Sequence, residues 1–291
     1  MKRLLQFSKR ISLFLVTNLL IMLMVTVVLS ALGIRGEGVT GLALLCFFYG
    51  MGGALVSLQI SRWIAKRATG VRLIDGRSGI QELDWLYATV QRLTRQANLP
   101  MPEVGVYDSD EVNAFATGPS RKRSLVAVSS GLLRSMRPHE IEGVLAHEVA
   151  HIANGDMVTM TLLQGVLNAV VMFLARAIAS VVARSNDERG NYGMYFLVVM
   201  VLQIVLGILA SLVTAWFSRH REFRADAGGA DLAGRENMIG ALRRLMANRE
   251  LVDTSHQALA TMKINGARGW MVFFSTHPPL EQRIAALEAA R

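Results

Sequence analysis

Four stretches of the chain stay apolar for the depth of a bilayer's hydrocarbon layer, and they constrain the fold more than any other feature. Crossing that layer takes about 20 helical residues, and Ile11–Ala31, Val39–Ile60, Val158–Ala183 and Tyr192–Phe217 each supply them. Lys2, Arg3, Lys9 and Arg10 precede the first run, as they would in a cleaved leader. That run is longer than a leader's apolar core, and a second follows almost at once, so it reads as a retained anchor. Composition agrees: 52% of the 291 residues are hydrophobic and 18% charged, which suits several lipid-facing segments better than a purely soluble chain. Cys46 is the single cysteine and lies inside the second run. It reads as a small apolar side chain, since no disulfide partner exists within the chain.

The formal net charge of +9 does not point to nucleic acid, because the basic residues gather beside the apolar runs. Arg62, Lys66, Arg67, Arg72 and Arg77 follow the second run, and Arg219, Arg221 and Arg224 follow the fourth. The loops on the other side are nearly neutral: Arg35 faces Glu37, and Arg184 and Arg189 are balanced by Asp187 and Glu188. Basic flanks mark the cytoplasmic side, so both termini and the segment near 62–157 are expected there.

Between the second and third runs lies a soluble segment. "IQELDWLYATVQRLTRQA" has the apolar spacing of a helix, and "LPMP" breaks it. "EVGVYD", "VNAFATG" and "SLVAVSS" are short, β-prone and separated by polar turns, which predicts a small sheet. "RPHEIEGVLAHEVAHIANG" then reads as a helix that a proline opens and Gly155 closes. The order is two apolar helices (1–61), a soluble part (62–157), an apolar hairpin (158–217) and a second soluble part (218–291).

His147 and His151 are four residues apart on that last helix, so both imidazoles can meet one zinc ion. Glu148 lies about 100° round from His147, beside the ion's open position. A carboxylate there can take a proton from zinc-activated water and return it to a leaving amine. The third ligand is sought in "FSRHREFRADAGGADL", where Glu222 and Asp226 are again four apart. Glu222 can bind the ion while Asp226 holds the tautomer of a ligand histidine. His220 is the rival ligand, set among arginines without a matching carboxylate. Because the third and fourth runs form a hairpin, both ligand groups return to one side of the bilayer.

With "HEVAHIANGD" and "EFRAD" in place, the chain resembles the HtpX family of bacterial membrane-bound zinc metalloproteases, in the superfamily of the CAAX prenyl endopeptidases. The resemblance covers essentially the full length. It implies a mainly α membrane protein: four apolar helices plus a cytoplasmic α+β zincin-like (gluzincin) protease domain with a small β-sheet. It implies one Zn2+ per chain on His147, His151 and Glu222, with Glu148 as catalytic base and Asp226 behind the ligands. It also implies quality control of membrane proteins at the inner membrane, as in a stress response, with polypeptides as substrates. The prenyl endopeptidases enclose a chamber with more spans than this chain has, so a prenylated substrate is not expected.

By the same resemblance, "VNAFATG" (112–118) is an edge strand along which a substrate backbone can pair. Asn113 would contact that backbone, or simply shape the turn before the strand. "STHPPLEQR" (275–283) lies near the active site, where His277 would donate to the oxyanion or merely order its loop. In the third run, Thr161, Gln164 and Asn168 trace a polar stripe that either lines a wet groove or bonds a neighbouring helix. Two rival functions stand beside proteolysis: a zinc-stabilised scaffold that binds clients without cutting, and a transporter. The first lacks a need for Glu148. The second expects ionisable groups at mid-membrane, where this chain has mostly amides, with Arg176 towards one end.

Overall fold

The computed structural model describes residues 38–186, 192–255 and 277–290. The expected first span, Ile11–Ala31, lies outside them. Among the described residues three helices are long and apolar enough to cross a membrane: α1 (Gly38–Thr69), α5 (Asp156–Asn186) and α6 (Tyr192–Ala233). The chain divides into two compact units, one of Met1–Ser57 and Thr161–Val213 and the other of Leu58–Met160 and Thr214–Arg291.

In the first unit α1 packs on α5 through small residues. A Cβ built on Gly50 would lie 2.5 Å from the Ala169 nitrogen and 2.7 Å from the Gly165 oxygen. Lipid offers helices no hydrophobic drive to associate, so close backbone contact supplies the attraction. Cys46 is buried, whereas Phe47, Val166, Phe196 and Ile204 point outward. Two members of the polar stripe bond each other. Gln164 Nε2 donates to Asn168 Oδ1 at 2.9 Å within one helix, because residues four apart are neighbours on a helix surface. We expect Gly50→Val to separate α1 from α5 and lower the thermal unfolding midpoint in detergent by several degrees. The variant's metal content, set in the other unit, should stay unchanged.

The second unit is built on a four-stranded mixed sheet in the order β1-β2-β4-β3, with β1 (Arg72–Ile74), β2 (Glu103–Tyr107), β3 (Ala114–Ser120) and β4 (Arg123–Ser129). β2 and β4 run parallel, and the other pairs are antiparallel. β3 therefore forms one edge. Helices α2 (Gln81–Gln96) and α4 (Pro138–Asn154) close the core. Leu86, Val90, Val126, Leu145 and Val149 are fully buried there. The Ser129 hydroxyl accepts from Leu132 N and caps the short α3 (Ser130–Ser135).

Local chemistry fixes α4. Pro138 sits in its first turn, Glu140 reaches back to the Arg137 N–H at 2.7 Å, and Gly155 ends it with φ 69°. A left-handed terminus of that kind favours glycine. Helix α7 (Arg235–Ser255) packs on α4, and α8 (Leu280–Ala289) packs on α7 through Met238, Leu242, Ile284 and Leu287. Helix α6 passes α4 closely at Gly229, where a Cβ would come within 3.1 Å of His147 N. At 42 residues, α6 is about 63 Å long, roughly twice the hydrocarbon depth. Its apolar part is thus followed by several polar turns, and these carry Glu222 and Asp226.

Candidate metal centre

All groups of the centre belong to the second unit. α4 presents His147 and His151 with their Nε2 atoms 3.0 Å apart. Glu222 from α6 places Oε2 3.6 Å from His147 Nε2 and Oε1 3.5 Å from His151 Nε2. Two ligands on a tetrahedral ion with bonds of about 2.0–2.1 Å stand roughly 3.4 Å apart, so these separations suit such an ion. The three residues form a group able to hold a metal. Two imidazoles and one carboxylate are a donor set that zinc accepts.

The outer nitrogens are equally occupied. His147 Nδ1 lies 2.9 Å from Asp226 Oδ1, and His151 Nδ1 lies 2.7 Å from Asp156 Oδ2. Each imidazole is thus oriented with Nδ1 on a carboxylate and Nε2 towards its neighbour, so that Nε2 would offer a lone pair to a cation on giving up its proton. Asp226 is in turn gripped by Arg283, with Nε at 2.7 Å from Oδ2 and Nη2 at 2.5 Å from Oδ1. Arg283 Nη1 also stands 3.3 Å from Glu222 Oε2. Asp156, fully buried, receives Arg224 at 2.6 Å.

Burial alone would make both imidazoles harder to protonate. Hydrogen bonds to Asp226 and Glu222 outweigh it and raise the pKa of His147. Those to Asp156 and Glu222 carry His151 up to about 9. Burial likewise opposes the charge on Arg283, yet Asp226 and Glu222 raise its pKa. The carboxylates therefore hold positive charge at the imidazoles, and metal binding would release protons from them.

Glu148 is half-buried on the same turn of α4, and its charge acts on His147, His151 and Arg283. Unlike Glu222, Asp226 and Asp156, it makes no hydrogen bond or ion pair among the described residues. His277 is 67% exposed at its side chain and brings Nδ1 to 2.9 Å from Glu222 Oε2. Asn113 is exposed beside β3, with its backbone committed to Ser129 through bonds of 3.1 and 2.9 Å. The rival ligand His220 lies apart: its Nδ1 meets the Trp216 carbonyl at 2.9 Å, and its ring sits against Trp216.

Asp156 and Arg283 were not singled out from the sequence. Asp156 closes the string "HEVAHIANGD", and that proximity was its available signal. We expect Asp156→Ala to weaken metal binding by about 10–100-fold, measured by competition with a chelating dye. Unchanged affinity would show that His151 needs no such partner.

A helix-borne pair of histidines with a glutamate between them, completed by a carboxylate from a second helix, is an arrangement that metallopeptidases use. Residues 81–291 match Peptidase family M48. The chain is 53% identical over 289 residues to "Protease HtpX" of Idiomarina loihiensis, covering 97% of this chain and 100% of that one. It is 53% identical over 280 residues to "Protease HtpX" of Pasteurella multocida, covering 96% and 97%. Among solved structures it is similar to S. mikatae Ste24p, with TM-score 0.65 and 18% identity over 98% of this chain. It spans 65% of the Ste24p chain, and that likeness speaks to fold alone. The chain belongs to peptidase family M48 and, within it, to the HtpX family. It is a membrane metalloprotease.

Proposed function

We propose that the chain cuts misfolded or damaged membrane proteins at the cytoplasmic face of the bacterial inner membrane, with both its termini on that side. His147, His151 and Glu222 would hold one zinc ion. When bound, zinc supplies Lewis acidity to the scissile carbonyl and to water. Glu148 accepts the proton of the attacking water and delivers it to the leaving amine. Asp226 and Asp156 keep the imidazoles oriented, and Arg283 keeps two buried carboxylates compatible with one another. His277 steadies Glu222 through Nδ1. A substrate backbone would pair along β3, whose edge position leaves main-chain groups open and demands few particular side chains.

The observation that carries this reading is the convergence of two Nε2 atoms on a buried carboxylate beside an unbonded Glu148. Its test is incubation of the purified full chain with an unstructured protein, with and without chelator. Cleavage should vanish with chelator and return with added zinc. Binding without cleavage under all conditions would favour a client-holding scaffold instead.

A further inference from the structure

The turn between β3 and β4 carries Arg121, Lys122 and Arg123 in succession, all exposed, whereas the rest of β4 is buried. Its position is specific. Arg123 Nη2 donates to Gln59 Oε1 at 3.1 Å, and Gln59 adjoins Ile60, the last residue of the apolar run of α1. On the other flank, the Arg121 guanidinium comes to 4.0 Å from a Cβ built on Gly155, three residues before the apolar run that opens at Val158. The turn therefore stands beside two places where the chain passes between polar and apolar sequence.

The same border carries exposed aromatic rings. Trp63, just past Ile60, is 62% exposed, and the Arg67 guanidinium stands 5.9 Å from its ring centre. Trp216, at the end of the apolar run of α6, is 55% exposed. Tryptophan beside cations is the composition that headgroup regions select. The nearby carboxylates are already engaged. Glu103 binds Arg62 at 3.3 Å and Lys66 at 2.8 Å, and buried Asp156 is shared by His151, Arg221 and Arg224. Among the described residues Arg121 and Lys122 form no ion pair.

We propose that the turn spanning Ser120–Arg123 binds anionic phospholipid headgroups of the membrane in which the chain sits. The guanidinium of Arg121 offers paired N–H donors to phosphate oxygens, and Lys122 adds a point charge. Because β3 is the edge strand, this contact fixes one of its ends at the lipid surface. Ser120, Arg121, Lys122 and Arg123 lie outside the metal centre, so lipid retention and metal binding are read separately.

Native mass spectrometry of the full chain in mild detergent tests it. Phosphatidylglycerol, phosphatidylcholine of the same acyl chains and inorganic phosphate are compared for the unaltered chain and an Arg121→Ala/Lys122→Ala variant. The unaltered chain should retain phosphatidylglycerol about tenfold or more over phosphatidylcholine, the variant should retain both alike, and inorganic phosphate should not compete. Unaltered metal content and an unaltered thermal unfolding midpoint would show that the variant is folded. Should it misfold, Lys122→Glu alone, at an exposed position, should still weaken phosphatidylglycerol retention. Equal retention of phosphatidylglycerol by variant and unaltered chain would overturn the proposal. So would equal binding of phosphatidylcholine, or displacement by inorganic phosphate, which would mark a site for free anions.

Discussion

Glu148→Gln lowers cleavage of an unstructured protein by about 10²–10⁴-fold, while bound metal stays at the level of the unaltered chain. The expectation follows from where the carboxylate is and what it lacks. It shares a turn of α4 with both histidines, yet it takes no part in the hydrogen bonds that secure Glu222, Asp226 and Asp156. An amide of the same shape preserves the packing and removes only the proton acceptor. Metal analysis and a discontinuous cleavage assay on the same preparation separate the two properties. Full hydrolysis by that variant would remove Glu148 from the mechanism, whatever the metal content.

Glu222→Ala should lose metal and activity together. The side chain is 1% exposed and is the convergence point of His147, His151, His277 and Arg283. Its removal takes away one donor and also leaves Arg283 with an uncompensated share of buried charge. Such loss of a partner in a buried network costs about 3–5 kcal/mol, so reduced thermal stability should accompany metal loss. Wild-type metal affinity in this variant would exclude Glu222 as a ligand.

The parts of the centre that could be read from the sequence are those set by a single helix. His147 and His151, like Glu222 and Asp226, stand four apart, and one helical turn suffices to place each pair on a face. Asp156 follows His151 by five residues, but the left-handed turn at Gly155 interrupts the helix between them. No periodic rule therefore connects them. Arg283 is farther still, 57 residues from Asp226 and 136 from His147, and reaches them only because α8 packs on α7 and α7 on α4. In the sequence it looks like any charged residue on an amphipathic helix.

The fold divides along the same line. The helix opened by Pro138 and closed by Gly155 was legible because its end signals are local. The edge position of β3 came from family likeness, since strand order depends on long-range pairing. β1 was missed because three residues, two of them exposed, carry too little alternation to register. The intrahelical bond between Gln164 and Asn168 also escaped, although the spacing that permits it was visible.

The reach of Arg283 across the primary structure has a consequence for biogenesis. A ribosome still translating residues before 283 has already released the two histidines and Glu222, yet the cation that reconciles Glu222 with Asp226 does not exist. Until residue 283 is added, Glu222 and Asp226 lack the guanidinium that stands 3.3 Å from one and 2.5 Å from the other, so histidines and carboxylates come into being before their buried charge is balanced.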